Sequence, residues 1–227
     1  MELTMFERLL QLPLFQGLTT REISDVMAHV RLNFVNYLPG DELIVQGDAC
    51  RELIYILSGE VVSEYRDEQG RFSLTEQLPN LKVIEPYNLF GMRQRVSRTY
   101  TFATEGVTLS IEKPVLLRHL LTNDIIKINL LNIVCNRYQQ TLSLLCAHPD
   151  DTITDKIVKF VRSYSTVPKG KKSISIKMTT LAEMIHETRL NVSIALNQLQ
   201  AQGLIQLQRG VIQVEDLDEL AHLTPNS

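Results

Sequence analysis

Residues 178–205, MTTLAEMIHETRLNVSIALNQLQAQGLI, decide the C-terminal fold. They predict two short helices joined by a polar turn, with Thr179 or Thr180 placed to cap the first helix and Thr188 to cap the second. One side of the second helix is apolar, and no acidic side chain interrupts the polar side opposite. The buried set is Val192, Ala195, Leu196 and Leu199, and the outward set is Arg189, Asn191, Ser193, Asn197 and Gln198.

The polar side of this second helix suits the major groove of DNA. Arginine can bind a guanine edge through two hydrogen bonds, and asparagine or glutamine can bind adenine in the same way. Gly203 is placed to end the helix, and LIQLQRGVIQV (204–214) predicts a β-hairpin that turns at Arg209–Gly210. Two ordinary amphipathic helices and a hairpin are the alternative. The cap, the polar side and the hairpin together favour a winged helix-turn-helix.

The charge of the chain is strongly asymmetric. The net charge is -3, but residues 156–214 hold nine basic residues against two acidic ones, a local net of +7. A basic block of this kind supplies the counterion release that dominates nucleic-acid affinity. We therefore expect contacts with DNA from Thr179, Thr188, Arg189, Asn191, Ser193 and Asn197, with Lys171, Lys172 and Arg209 among the positions that contact the backbone.

Composition indicates a globular protein with a mean hydropathy near zero. No apolar run approaches the roughly 20 residues that cross a bilayer, and the N-terminal MELTMFERLLQLPLF lacks the basic start of a signal peptide. A cytoplasmic location without a membrane partner is the expectation. The five histidines are dispersed and no nucleophile or metal motif appears, so we do not expect an enzyme.

The N-terminal half changes from a helical to an alternating pattern after residue 30. The segment 2–30 predicts one or two helices, with a turn at Gln16–Gly17 and a cap at Thr19 or Thr20. Short strands follow, separated by glycine turns about every ten residues, which is typical of a small antiparallel barrel or roll. The predicted turns lie at Pro39–Gly40, Gln46–Gly47, Ser58–Gly59 and Gln69–Gly70.

Residues 123–147 predict a long helix with two apolar sides. One side steps by three and four residues, as in a coiled-coil seam with two polar breaks; it contains Ile125, Ile128, Asn132, Cys135, Gln139, Leu142 and Cys146. A helix that is apolar on two sides must be covered on both, which favours a strut that also forms a homodimer interface. A single helix buried within one subunit is the alternative.

Three cysteines, Cys50, Cys135 and Cys146, are too scattered for a disulfide framework or a metal cluster. Reduced thiols are the favoured interpretation. A redox pair formed by Cys135 and Cys146 across a dimer stays open.

The order of helix, glycine-punctuated strands, long helix and winged helix-turn-helix resembles the Crp–Fnr family of bacterial transcription regulators over nearly the whole chain. The carriers are LFQGLT, YLPGDELIVQGD, LIYILSGEV and DEQG, then DKIVKFV, the 181–205 segment and LQRGVIQV. The resemblance implies an α+β fold with an N-terminal double-stranded β roll of the cyclic-nucleotide-binding type. It also implies a homodimer on a palindromic operator, and it leaves RNA polymerase open as a further partner. Arg189 matches the family's guanine-reading arginine, while Leu190 and Ile194 replace polar base-reading residues.

The resemblance also marks an effector site that departs from the family pattern. Cyclic-nucleotide binders of the family carry a Gly-Glu pair for the ribose and an Arg-Ser or Arg-Thr pair for the cyclic phosphate. In FGMRQRVSRTYTF (90–102), Gly91, Arg98 and Thr99 stand at the matching ends, but Met92 replaces the glutamate. Thr141 falls where the family offers a hydroxyl to the base, and Arg93 and Arg95 could help Arg98 to gather an anion. A basic loop without a ligand is the alternative.

The sequence thus predicts a sequence-specific DNA-binding transcription regulator controlled by a small anionic effector, with a family member active without effector as the alternative. Cyclic AMP is disfavoured by Met92, and no other cofactor is expected. We expect an effector-sensing roll at residues 1–121, a dimerisation helix at 122–149 and the DNA-binding domain at 150–227.

Overall fold

The computed structural model describes residues 5–145 and 151–222. The first half of the chain contains helices α1 (Met5–Gln11), α2 (Thr20–Met27) and α3 (Lys113–Val115), with strands β1 (Asn33–Tyr37), β2 (Glu42–Ile44), β3 (Glu52–Ser58), β4 (Val61–Arg66), β5 (Phe72–Leu78), β6 (Lys82–Ile84), β7 (Thr99–Phe102) and β8 (Gly106–Glu112). The second half contains α4 (Asp124–Leu145), α5 (Ile153–Ser163), β9 (Lys172–Ile176), α6 (Met178–Met184), α7 (Arg189–Ala201), β10 (Ile205–Gln208), β11 (Val211–Val214) and α8 (Leu217–His222). The predicted α+β class and the predicted order of elements are confirmed.

The chain divides into two compact units. The first takes its described residues from 1–61, 79–97 and 101–140, and the second from 62–78, 98–100 and 141–227. The β4–β5 hairpin therefore belongs to the same unit as the helix-turn-helix. The three domains expected at 1–121, 122–149 and 150–227 stay a prediction.

The first unit is built on the antiparallel sheet β1-β8-β3-β6. Leu109 and Ile111 of β8 are fully buried, as are Leu53 and Tyr55 of β3. Chain reversals fall at the predicted glycines, all of which have positive φ angles, from 67° to 96° at positions 40, 47, 59 and 70. At Gly59 a β-carbon would lie 2.6 Å from the Gly106 Cα, so this turn requires glycine on steric grounds as well.

Helix α2 begins as the sequence predicts. Thr19 is the N-cap and forms a capping box with Glu22, in which each side chain binds the other residue's backbone N–H. Hydrogen bonds from Thr19 lower the pKa of the Glu22 carboxyl. Ile23 then enters the core.

The long helix α4 keeps one apolar side in the core of the first unit and leaves another exposed. Ile126 and Leu130 are buried, whereas Ile128, Leu131 and Leu142 are exposed. Of the cysteines, Cys50 is buried and Cys135 exposed, while Cys146 lies outside the described residues. Within the described ranges, no helix is both long and apolar enough to cross a membrane.

The second unit contains a sheet that the sequence did not predict. Its strand order is β10-β11-β9-β5-β4, and β5 pairs with β9 in antiparallel register, from Phe72 opposite Ile176 to Glu76 opposite Lys172. Phe72 and Leu74 pack in one core with residues of α5 and α7, among them Phe160 and Leu196. The hairpin is thus integral to this unit through both backbone hydrogen bonds and apolar packing.

Candidate nucleic-acid interface

The helix-turn-helix is formed by α6 and α7. Helix α6 begins at Met178 with Lys177 as its N-cap, and the Lys177 side chain makes no capping hydrogen bond. The prediction that Thr179 or Thr180 caps α6 was wrong, because the helix starts earlier and both threonines lie in its first turn. Leu181 and Ala182 are the buried residues of α6.

The turn between the helices is fixed by backbone geometry at His186. This residue is exposed and has a φ of 55°, in the left-handed region that non-glycine residues rarely occupy. The Glu187 backbone N–H donates to the Ala182 carbonyl at 2.9 Å, closing the end of α6. Ile185, just before the turn, is buried and anchors it to the core. The sharp change in direction therefore depends on one strained backbone position and one apolar anchor.

Helix α7 has the predicted cap and the predicted buried side. Thr188 is the N-cap, and its Oγ accepts from the Asn191 backbone N–H at 3.2 Å. The buried residues are Val192, Ala195, Leu196 and Leu199. Because these four share one side of the helix, its opposite side is held toward solvent in a fixed rotation.

The solvent-facing side of α7 combines polar and apolar groups. Arg189 and Asn197 are exposed, while Asn191 and Ser193 are half-buried. Leu190 and Ile194 are also exposed, at 69% and 48%. Exposed aliphatic side chains on a helix of this kind are suited to the methyl group of thymine. The side chains of α7 can therefore offer hydrogen bonds and apolar contacts on the same surface.

The wing follows as predicted. Strands β10 and β11 pair in antiparallel register and turn at Arg209–Gly210, where Gly210 has a φ of 76°. The Ile176 N–H donates to the Gly210 carbonyl at 2.9 Å, which ties the wing turn to the end of β9. Arg209 is exposed at the tip. A cation at the tip of a braced turn is well placed to meet a phosphate.

Several lysines of the basic block are paired with carboxylates. Lys171 is exposed and lies 2.9 Å from Glu215, and Lys156 lies 2.5 Å from Glu187. The bond from Lys156 is the main reason that the pKa of Glu187 is lowered. Glu187 is already included in the local charge of +7, whereas Glu215 lies outside the counted residues, so the Lys171–Glu215 pair partly neutralises that charge within the fold.

Lys172 corrects the sequence prediction. It was assigned to the DNA-contacting set, but its side chain is fully buried and its Nζ lies 2.9 Å from Glu76 Oε2. The Nζ also donates to the Lys169 carbonyl at 2.8 Å. A side chain enclosed in this way cannot reach a phosphate in the described conformation.

Arg98, predicted to bind an effector anion, lies in the same buried cluster as Lys172. Its side chain is 4% exposed, and its Nη1 lies 3.2 Å from Glu76 Oε1. Its Nη2 donates to the Tyr164 carbonyl, and its Cζ lies 5.6 Å from the centre of the Tyr65 ring. The guanidinium is thus already occupied by protein groups.

Glu76 is the centre of this cluster. Besides the two cations, its carboxylate accepts hydrogen bonds from the Thr166 backbone N–H and hydroxyl, each at 2.7 Å, and from the Val167 N–H at 3.2 Å. Burial, the largest single influence, acts to raise the pKa of Glu76. The charges of Lys172 and Arg98 and the hydrogen bonds outweigh it and hold the pKa below the ordinary value of 4.5. The carboxylate is therefore ionised at neutral pH.

The alternation of residues in two strand segments could have predicted this cluster from the sequence. In FSLTEQL, Glu76 falls in phase with Phe72, Leu74 and Leu78, and in KSISI, Lys172 falls in phase with Ile174 and Ile176. Because side chains alternate along a strand, each charged residue is placed on the apolar side. Two opposite charges, each on a buried strand side, indicate a buried ion pair.

The remaining predicted effector residues are exposed or half-buried. Met92 is fully exposed and Arg93 is exposed, beside Gly91 with a φ of 87°. In the second unit, Thr99 is half-buried and Thr141 exposed. Arg95 donates to the Gly47 carbonyl at 2.7 Å. A cavity of about 340 Å³ in the first unit is lined by other residues, including Asn33, Arg51, Thr108 and Ser110.

Comparison with known proteins identifies the C-terminal domain. Residues 152–223 match the family of the Crp-like helix-turn-helix domain. No curated protein matches the chain. Among solved structures, the catabolite activator protein of Thermus thermophilus is 19% identical, with 92% of this chain and 98% of that chain covered and a TM-score of 0.49. DNR of Pseudomonas aeruginosa is 19% identical, with 97% of this chain and 98% of that chain covered and a TM-score of 0.45.

Proposed function

From the match of residues 152–223 to the Crp-like helix-turn-helix domain, we propose that the chain is a sequence-specific transcription regulator whose helix α7 reads bases in the major groove. The match confirms the resemblance to the Crp–Fnr family for this domain. The observation that carries the proposal is the solvent-facing side of α7. It is rotationally fixed by four buried residues, capped by Thr188, and free of acidic side chains.

Each exposed residue type on α7 has a base edge that it can recognise. Arg189 lies in the first turn, where its guanidinium can bind guanine O6 and N7 together. Asn197 can bind adenine N6 and N7, and the exposed Leu190 can contact a thymine methyl. Leu190 stands where the family pattern has a polar residue, so we propose that this operator differs from that of family members with a polar residue there.

We propose that the active species is a homodimer formed through α4. The exposed side chains of Ile128, Leu131 and Leu142 make an apolar strip along this helix, and an exposed apolar strip favours a partner that covers it. A two-fold pair of recognition helices would bind a palindromic site. RNA polymerase as a partner and a cytoplasmic location stay predictions.

Replacing Ile128 with aspartate tests the dimer. It places an unpaired charge in the proposed interface, so the dimer dissociation constant should rise by roughly two orders of magnitude, or about 2.7 kcal/mol. Asn136→Asp is the matched control, because Asn136 is an exposed polar residue on the flank of the same helix. Sedimentation of both variants should give monomers for Ile128→Asp and dimers for Asn136→Asp. Equal dimerisation would place the interface elsewhere.

The engagement of Arg98 favours DNA binding without an effector at this site. An anion would have to displace Glu76, whose carboxylate is held by six donor groups of the protein. Loss of the family's glutamate at Met92 removes a further hydrogen bond worth about 1.5–3 kcal/mol. We propose that the effector-independent alternative describes this chain and that cyclic AMP does not control it.

Selection of bound sequences from random duplex DNA tests the function. The full chain should enrich a palindrome, and the enriched site should be the same with and without cyclic AMP. Recovery of random sequence in both cases would reject sequence-specific binding. Enrichment only in the presence of cyclic AMP would reject effector independence while leaving the regulator function intact.

A further inference from the structure

Two turns of the second unit lie at the same end of one sheet. In the order β11-β9-β5, Val211 pairs with Ser175, and Phe72 pairs with Ile176. The wing turn at Arg209–Gly210 immediately precedes Val211, and the turn of the β4–β5 hairpin, Asp67–Arg71, immediately precedes Phe72. The hairpin turn is therefore a neighbour of the wing turn, with the end of β9 between them.

An open groove of about 590 Å³ separates the two turns, and its charged side chains are mainly basic. Arg66 and Arg71 line it from the hairpin, and Lys177 and Arg209 line it from β9 and the wing. Arg66 pairs with Glu64 at 3.0 Å and Arg71 with Asp67 at 2.8 Å. In the described part of the chain, Lys177 and Arg209 have no carboxylate partner. When Asp67 is counted with the lining residues, four cations face two carboxylates, which is a net charge of +2.

The spacing of the turns suits the backbone of a duplex. Strands β11 and β5 are two positions apart, which separates the turns by about 10 Å. DNA rises by about 3.4 Å per nucleotide along the helix axis, so turns aligned with that axis would span roughly three nucleotides. A wing tip bound to one phosphate would place the hairpin tip beside another phosphate of the same strand.

We propose that the tip of the β4–β5 hairpin is a second contact to the DNA backbone, adjacent to the wing, with Arg71 as its principal phosphate ligand. The inference rests on the proposed function and assigns a DNA contact to a hairpin that precedes the helix-turn-helix domain by some 80 residues in the sequence. Arg71 donates to Asp67 through both Nε and Nη2. This is the geometry in which a guanidinium also binds a phosphate.

The ion pair between Asp67 and Arg71 can be exchanged for a contact between Arg71 and a phosphate. The pair is at the surface, where the Arg71 side chain is 44% exposed, and surface ion pairs are weak enough to exchange partners. The Asp67 carboxylate also accepts from the backbone N–H groups of Gln69 and Arg71. It can therefore keep the turn closed while Arg71 moves to a phosphate.

Two substitutions with opposite expected effects test the contact. Arg71→Gln removes the cation from both protomers of the proposed dimer and should weaken binding to the selected duplex roughly 3- to 10-fold. It should lower the magnitude of the salt slope of log K by about 1.8, since each lost phosphate contact accounts for about 0.9. Asp67→Asn keeps an acceptor oxygen for the turn but frees Arg71, so it should strengthen binding. Arg21→Gln is the control, because Arg21 is an exposed arginine on α2 of the other unit. Fluorescence anisotropy across a salt series measures all three.

The outcomes separate this proposal from the function on which it rests. The hairpin contact would be overturned if Arg71→Gln and Asp67→Asn both bound the duplex with the same affinity as Arg21→Gln. It would also be overturned if both weakened binding equally, because that result would indicate a purely structural role for the turn. In either case, if Arg189→Ala still lowers specific binding, the proposed function survives. A wild-type chain that binds no duplex would overturn both.

Discussion

Basic residues of the second unit occupy two opposite environments. Around α7 and the wing, Arg189, Lys177 and Arg209 are exposed to solvent. Around Glu76, Arg98 and Lys172 are buried and bound to a single carboxylate. Residues of the same two types therefore serve either to meet a polyanion or to hold two strands together.

Burial decides between these roles. A cation that leaves water must find a partner in the protein, because an unpaired buried charge is strongly destabilising. Arg98 and Lys172 both pair with Glu76. Arg98 also donates to the Tyr164 carbonyl, and Lys172 to the Lys169 carbonyl. Arg189 remains hydrated and can exchange its water for a base edge. The difference teaches that charge in a sequence predicts DNA binding only where the side chain stays exposed.

The largest expected effect comes from removing Glu76. Glu76→Ala would leave two buried cations without their carboxylate and should lower the free energy of unfolding by about 4–5 kcal/mol. Glu68→Ala is the matched control, because Glu68 is an exposed carboxylate in the turn of the same hairpin; its effect should stay within about 0.5 kcal/mol. Urea unfolding compares the two variants. Equal stability would mean that the cluster contributes nothing.

Two neighbours in the sequence sharpen the comparison. Lys172→Ala should cost about 3 kcal/mol of stability, less than loss of Glu76, because the carboxylate keeps Arg98 and its backbone donors. Lys171→Ala removes a lysine that is 80% exposed and should leave stability unchanged within about 0.5 kcal/mol. Thermal and urea unfolding of the pair would settle which lysine is structural. Similar losses for both would contradict the burial difference.

Acid should selectively weaken the buried cluster. The folded-state pKa of Glu76 lies below its ordinary value of 4.5. Its contribution to stability is therefore fully present above that ordinary, unfolded pKa and is lost as the pH falls toward the folded value. Glu76→Gln lacks this titration. Between pH 7 and pH 3 the urea midpoint of the wild type should therefore fall more steeply than that of Glu76→Gln. Parallel profiles would show that Glu76 has no depressed pKa.

Local signals in the sequence predicted the helix-turn-helix and its surroundings well. Caps at Thr19 and Thr188, the glycine turns and the wing at Arg209–Gly210 all depend on residues close together in the chain. The cap of α6 was misplaced, because several polar residues near residue 178 could have served. Short-range chemistry thus identified the elements and most of their ends.

The buried cluster depended on pairing between distant segments. Glu76 and Lys172 meet because β5 pairs with β9. The composition of either strand does not predict which strand it pairs with. Arg98 was therefore assigned to an effector and Lys172 to DNA, although both were correctly recognised as cations that bind an anion. The anion for each is Glu76.

The base profile of DNA binding tests the central claim, that α7 reads the major groove, most directly. Arg189→Ala and Lys171→Ala are each measured against every single-base variant of the selected operator. Arg189→Ala should lose about 1–3 kcal/mol on the preferred sequence and relax the preference at one base pair of each half-site. Lys171→Ala should weaken all duplexes about equally, through a lost phosphate contact. If the two variants give the same profile, α7 does not lie in the groove.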